Sequence, residues 1–405
     1  MIKLRMTRLL FLLNFVLAST NLHAAQFDAI VAPSLMDSGM DGWYKIPPNS
    51  GPHVHRAHSI YQDQGFSLLI FFRGYTADKD NIVHVMYDVQ VYDPQGKPTD
   101  DKGSNLLAYK GPMGNPNALM LNRQYLKIVF TEKYPPGNYR IKVTAYDKIN
   151  NESFTSEAQI ELVPFAFPDK FSSQKETGEW MMKYYINPTP INAIGALQDS
   201  MKLDPEWLNE NLSILSFFKT IYKDNPFLLK NIAKQFSSFS IEDQKKFLLI
   251  ASLMGDTRFL LEDISSFSDD LTDFLLEIAE ISIPEVNDEI NSAVQLDILW
   301  SEFLATGKYE PIRKIVSSLA LYKHKGTLDK IKSGEIIKVT EDIKTKAYLE
   351  ATYQSAVWSL KSNIKQMPLV LKYCTFIYQN EKLDADIKSQ LGSIIQIAQS
   401  EIRKE

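Results

Sequence analysis

The stretch VPFAFPDKFSSQKETGEWMM, residues 163–182, decides how the chain reads. Before it, short apolar runs alternate with turn residues; after it, apolar residues recur every three or four positions to the C-terminus. Pro164 and Pro168, set among Phe165 and Phe167, end a last strand, because proline disfavours continued ladder pairing and turns the chain. Glu176 to Tyr185 then starts a first helix, with Trp180, Met181, Tyr184 and Tyr185 as its apolar face. The expected organisation is an antiparallel, Ig-like β-sandwich over 26–165, a linker over 166–173 and an all-helical, hairpin-built, solenoid-like domain over 174–405.

Working back from the seam, FTSEAQIELV (154–163) and YRIKVTAYD (139–147) alternate, with the turn YPPGN (134–138) preceding the latter. YLKIVF (125–130) alternates as well. HVMYDVQVYD (84–93) places Val85, Tyr87, Val89 and Val91 on one side and His84, Met86, Asp88, Gln90 and Tyr92 on the other. Asp93-Pro94-Gln95-Gly96 is a turn in which proline presets one dihedral and glycine accepts a positive φ. FSLLIFFRGY (66–75) is almost continuously apolar, as expected of a strand shielded on both faces. QFDAIV (26–31) reads as an edge strand.

Working forward, Asn187-Pro188-Thr189-Pro190 stops the first helix, with Thr189 as the expected cap of the next. Asp204-Pro205 repeats that logic, and Ser240 with Asp243 forms a box-like helix start. The block HKGTLDKIKSGEIIKVTED (324–342) is a charged interruption loosened by Gly326 and Gly334.

Composition bounds the chemistry. The chain has 405 residues, 44% apolar and 23% charged, with a formal net charge of -5, which argues against a nucleic-acid groove. The single cysteine, Cys374, permits no intrachain disulfide or thiolate zinc site and reads as a core thiol. Lys3, Arg5 and Arg8 precede the apolar run LLFLLNFVLA (9–18) and the small-residue exit STNLHAA, the pattern of a cleaved export signal over residues 1–25. The run is too short to span a bilayer, and no cysteine stands at the exit to accept lipid. An exported product without transmembrane or lipid anchor is expected, in the periplasm or secreted.

Of the six histidines, three fall in HVHRAH: His53, His55 and His58, with His84 on a neighbouring strand. Imidazoles ligate zinc or copper, so these four are the candidate metal ligands, although a polar loop or edge strand entering the sandwich is the favoured reading. No strained G-x-S-x-G turn, H-E-x-x-H, phosphate loop or dinucleotide fingerprint occurs, so no catalytic residue and no cofactor is assigned.

A resemblance is carried by two stretches of the strand-rich half and by the helical half over about 175–380, where YYINPTP (184–190) and FFKTIYKDNP (217–226) join the two longer stretches quoted below. GFSLLIFFRGYTADKDNIVHVMYDVQVYDPQGK (65–97) with PPGNYRIKVTAYD (135–147) resembles the β-domain of a group of exported bacterial proteins of unassigned function. LDILWSEFLATGKYEPIRKIVSSL (296–319) with AVWSLKSNIKQMPLVLKYC (356–374) resembles a helical domain of the same group. The resemblance implies bacterial origin, export and a helical module, and brings no functional residues. Its recognisable positions here are Asp297, Trp300, Thr306, Gly307, Trp358, Ser359 and Asn363. These read as structural: Trp300 and Trp358 as buried wedges, Gly307 as a helix end, Ser359 and Asn363 as partners of backbone groups between helices. The function expected is a non-enzymatic binding or scaffolding role toward a protein partner in the cell envelope. A periplasmic metal or small-ligand binder and an envelope hydrolase are its rivals.

Overall fold

The structure is a computed structural model that describes residues 26–35, 40, 42–43, 54–114, 119–255, 268–284, 286 and 289–402. The expected export signal and His53 therefore lie outside the described residues. The N-terminal part holds strands β1 (Asp28–Ser34), β2 (Ser59–Tyr61), β3 (Gly65–Arg73), β4 (Ile82–Tyr92), β5 (Pro98–Pro112), β6 (Met120–Leu121), β7 (Leu126–Val129), β8 (Gly137–Asp147) and β9 (Glu152–Val163). One sheet has the order β1-β3-β6, with β7 also pairing β3; the other runs β2-β9-β8-β4-β5. Every pairing is antiparallel except β2 with β9, which is parallel.

The alternation of β4 is realised: Val85, Tyr87, Val89 and Val91 enter the sandwich core with Tyr139, Ile141 and Val143 of β8 and Ile160 and Leu162 of β9. The unbroken apolar run of β3 is explained by burial on both faces. Phe66, Leu68, Ile70 and Phe72 face the sandwich core, while Leu69 and Phe71 join Ala32, Met40 and Leu121 on the opposite face. The turn after β4 forms as read, with Gly96 at φ +80° and Asp93 Oδ1 accepting from the N–H groups of Gln95 (3.0 Å) and Lys97 (2.8 Å). Tyr139 donates its hydroxyl to the Pro135 carbonyl at 2.8 Å, so the start of β8 is pinned to its own corner as in Ig-like sandwiches. Three strands were unforeseen: the short β2 and β6, and β5, fifteen residues at the sheet edge, whose register against β4 shifts at three places.

The C-terminal part is helical: α1 (Gln174–Lys183), α2 (Ala193–Ser200), α3 (Pro205–Glu210), α4 (Leu212–Asp224), α5 (Phe227–Ala233), α6 (Ile241–Met254), α7 (Asp269–Ile278), α8 (Ala293–Thr306), α9 (Tyr309–Ser317), α10 (Thr327–Lys332), α11 (Glu341–Gln366), α12 (Pro368–Asn380) and α13 (Ala385–Ile402). Two expected starts hold: Asp204 accepts from Trp207 N–H at 2.8 Å, and Ser240 from Asp243 N–H at 3.2 Å. Thr189 does not cap the next helical turn. Its hydroxyl oxygen accepts the indole N–H of Trp180 at 2.8 Å instead, a partly buried donor, while the turn is already opened by proline.

The helices enclose two hydrophobic clusters. Adjacent Tyr184 and Tyr185 project into different ones, and α8 divides them, with Ala305 on the first and Trp300 and Phe303 on the second. α4 packs on α8 from the other side. Cys374 is fully buried in the second cluster, where desolvation pushes its thiol up to about 12, so it is unreactive near neutral pH. The charged interruption is anchored: Gly326 and Leu328 donate their N–H groups to the two oxygens of Glu350 on α11, at 2.9 and 2.8 Å.

The segment 166–173, expected as a linker, packs Phe167 and Phe171 on the first helical cluster together with Phe165 and Tyr61. Tyr61 stacks on Phe227 (6.5 Å, 15°), Phe165 meets both edge-on, and Phe167 meets Phe239. Lys230 Nζ lies 2.9 Å from Asp63 Oδ2, a carboxylate side chain only 7% exposed on a residue at φ +64°. A helical fragment starting at Pro164 should therefore be more stable than one starting at Lys170. The expected difference is roughly 2–4 kcal/mol for the two partly buried rings, read by urea unfolding of each fragment. Equal stability would mean that the rings contribute nothing to the helical core.

Candidate functional site

Of the four candidate metal ligands, His53 lies outside the described residues, and His55, His58 and His84 form no metal-holding group of three. His58 is exposed just before β2, where its carbonyl accepts from Glu161 N–H at 2.9 Å. His84 lies on β4, and β9 and β8 intervene between β2 and β4, which separates those strands by about 14 Å. Burial, then Lys110 and Lys148, lower the His84 pKa and keep the imidazole neutral, but the same ammonium groups repel an incoming cation. No group of three His, Cys, Asp or Glu side chains with metal-holding spacing occurs among the described residues.

The positions of the resemblance divide. Trp300 on α8 is 7% exposed and meets Phe303 edge-on at 6.2 Å. Gly307 ends that helix in the left-handed region (φ +65°), donating to the Phe303 carbonyl and accepting at its own carbonyl from the Tyr373 hydroxyl at 2.9 Å. Thr306 donates back into the same helix, as Ser359 does in α11, so Ser359 serves its own helix and not a neighbouring one. Asn363 accepts from Met367 N–H at its backbone carbonyl. Trp358 corrects the expectation of burial: it is 72% exposed. Tyr353, Ala356, Leu360 and Ile364 form the buried face of α11, and Trp358 stands two residues from Ala356, about 200° around the helix.

The outward face of α11 is the chemically distinctive surface. Tyr348, also 72% exposed, lies ten residues before Trp358, about 15 Å along the axis and on the same side. Small or polar Ala351, Ser355 and Ser362 continue that stripe at three- and four-residue spacing. The helix is held to α13. Tyr353 donates to Gln390 on α13 at 2.8 Å, and Lys361 and Lys365 both pair with Glu401. The two rings are thus presented on a scaffold that needs no ordering before contact, which lowers the entropic cost of binding. The signal in the sequence was the heptad-like register of 353, 356, 360 and 364, which already sets position 358 outside.

No family model matches the chain, and no curated protein matches it. Solved structures with some likeness include the CARDB domain of a Pyrococcus furiosus protein in complex with di-metal ions, 12% identical, with a TM-score of 0.19, covering 36% of this chain and 95% of that one. A family 123 glycoside hydrolase from Clostridium perfringens is 9% identical at a TM-score of 0.19 over 35% of this chain and 28% of its own. A family 76 glycoside hydrolase from a bovine Bacteroides thetaiotaomicron strain is 8% identical at 0.16, over 83% and 76%. Likeness at these scores carries no functional argument. No helix among the described residues is long and apolar enough to cross a membrane.

Proposed function

We propose that the protein is a non-enzymatic binding module of the cell envelope, exported with loss of residues 1–25, whose helical domain docks a protein partner along the outward face of α11. One observation carries the reading: the Trp358 indole stands 72% exposed on a rigidly backed helix. A large ring left in water gains nothing for the folded chain, whereas at an interface Trp and Tyr supply much of the binding energy at low entropic cost. The occupant that fits is a protein segment with an apolar ridge long enough to meet both Tyr348 and Trp358.

Crosslinked pull-downs with wild type, Trp358→Ala and Tyr348→Ala test this. Because the Trp358 ring is solvated, truncation should change stability by no more than about 0.5 kcal/mol. The expected result is a partner captured by wild type and lost, or weakened by about 2 kcal/mol or more, in the Trp358 variant. Identical capture by all three proteins would refute the assignment of this face.

A further inference from the structure

A second site lies where the two halves of the chain meet. A cleft of about 310 Å³ is lined by Ser67 and Lys127 from the sandwich and by Tyr184, Asp224, Asn225 and Lys308 from the helices. That volume is at the lower end of small-ligand pockets, which favour such domain boundaries. Lys127 projects from β7 and Lys308 from the turn between α8 and α9, so the two cations belong to different halves of the fold. Neither ammonium group has an ion-pair partner among the described residues, whereas Lys230 and Lys234 nearby on the helical side pair with Asp63 and Glu132 of the sandwich.

Gly65 makes room for this arrangement. A Cβ at that position would lie 2.6 Å from Cε of Lys127, so with glycine there the end of the lysine lies across the strand beside the cleft without having to shift. Tyr184 forms part of the buried wall. Desolvation, and then the Asp224 carboxylate, raise its pKa and keep the hydroxyl protonated, so it remains a donor. The Asn225 amide is held in place by donation to the Ile221 carbonyl at 2.9 Å. Two ammonium groups against the single carboxylate of Asp224 leave the lining net positive and rich in donors.

We infer that this cleft binds a small anion-bearing ligand, a phosphate or carboxylate compound, with Lys127 and Lys308 clamping the anion from opposite halves of the molecule. This site is separate from the α11 face and does not depend on it. Since both halves contribute a charge, the bound anion also ties the sandwich to the helices and raises the unfolding temperature.

The test uses the full mature chain with inorganic phosphate and with succinate, against sodium chloride at matched ionic strength. Saturable binding by calorimetry with a rise in Tm is expected for at least one probe, and its identity separates phosphate from carboxylate ligands. Lys127→Gln and Lys308→Gln should each weaken binding by about tenfold or more, with Lys223→Gln, an exposed neighbour on α4, unchanged. On wild type alone, the bound probe should protect Lys127 and Lys308, but not Lys223, from amine acetylation read by mass spectrometry. Absence of saturable binding for both probes, or undiminished binding in the double lysine variant, would overturn the inference.

Discussion

Trp300→Ala should lower the unfolding free energy by about 3–5 kcal/mol. The indole is 7% exposed and edge-on to Phe303, which in turn meets Tyr185 at 4.9 Å and Tyr373 at 6.5 Å. Truncation would leave a void at the meeting point of α1, α8 and α12 that rigid neighbours cannot fill. The same ring carries a cost of its own, since Nε1 is buried with no hydrogen-bond partner among the described residues. Trp300→Phe removes that N–H while retaining most of the apolar area. It should therefore fall within about 1 kcal/mol of wild type. Urea unfolding followed by circular dichroism checks both. If the Phe variant is as damaged as the Ala variant, shape complementarity at this position outweighs desolvation of the indole N–H.

Glu350→Ala is the second large effect, about 2–4 kcal/mol, because it strips the backbone donors of residues 326–328 of their acceptor inside the protein. Glu350 is only 2% exposed. Burial alone would raise its pKa, but donation from the backbone of Leu328, Gly326 and Thr327 and from the Gln354 amide outweighs this and leaves it lowered. The sign of the pH effect follows. A carboxyl whose folded pKa lies below its unfolded value of about 4.3 contributes fully above that value. The contribution is lost as pH falls through the folded pKa. Glu350→Gln should therefore be less stable near neutrality and show a shallower loss on acidification. Hydrogen exchange should locate the damage at residues 324–342, where α10 loses its tether; uniform protection across that segment in the Ala variant would contradict the account.

Much of the fold was legible because the local pattern and the tertiary environment agreed. β4 alternates in sequence and in burial, and β3 is apolar throughout because both its faces are covered. β5 was not legible. PTDDKGSNLLAYKGP carries strand-averse Asp, Gly and Asn, and it is held extended by pairing with β4, a long-range cause that local propensity does not encode. Trp358 was misread for a different reason. Its apolar neighbours Val357 and Leu360 point 100–200° away from it on a helix, so flanking hydrophobicity was the wrong test and the buried register was the right one. The cleft between the halves could not have been found at all from spacing, since Lys127 and Lys308 are far apart in the chain and meet only through the docking of Tyr61, Phe165 and Phe227.

The irregular pairing of β5 bears on how the protein survives crowding. A fifteen-residue outer strand would ordinarily offer a long row of unpaired backbone groups to the same strand of another molecule. Here the three register shifts twist that row out of line, and Asn105 adds a left-handed residue (φ +55°) within it. Pro98 and Pro112 remove donors at both ends, and exposed Asp100, Lys102 and Lys110 set charges along its length. The sheet therefore ends in an edge that a second copy cannot extend. An outer strand built this way resists edge-to-edge pairing without a partner to cover it.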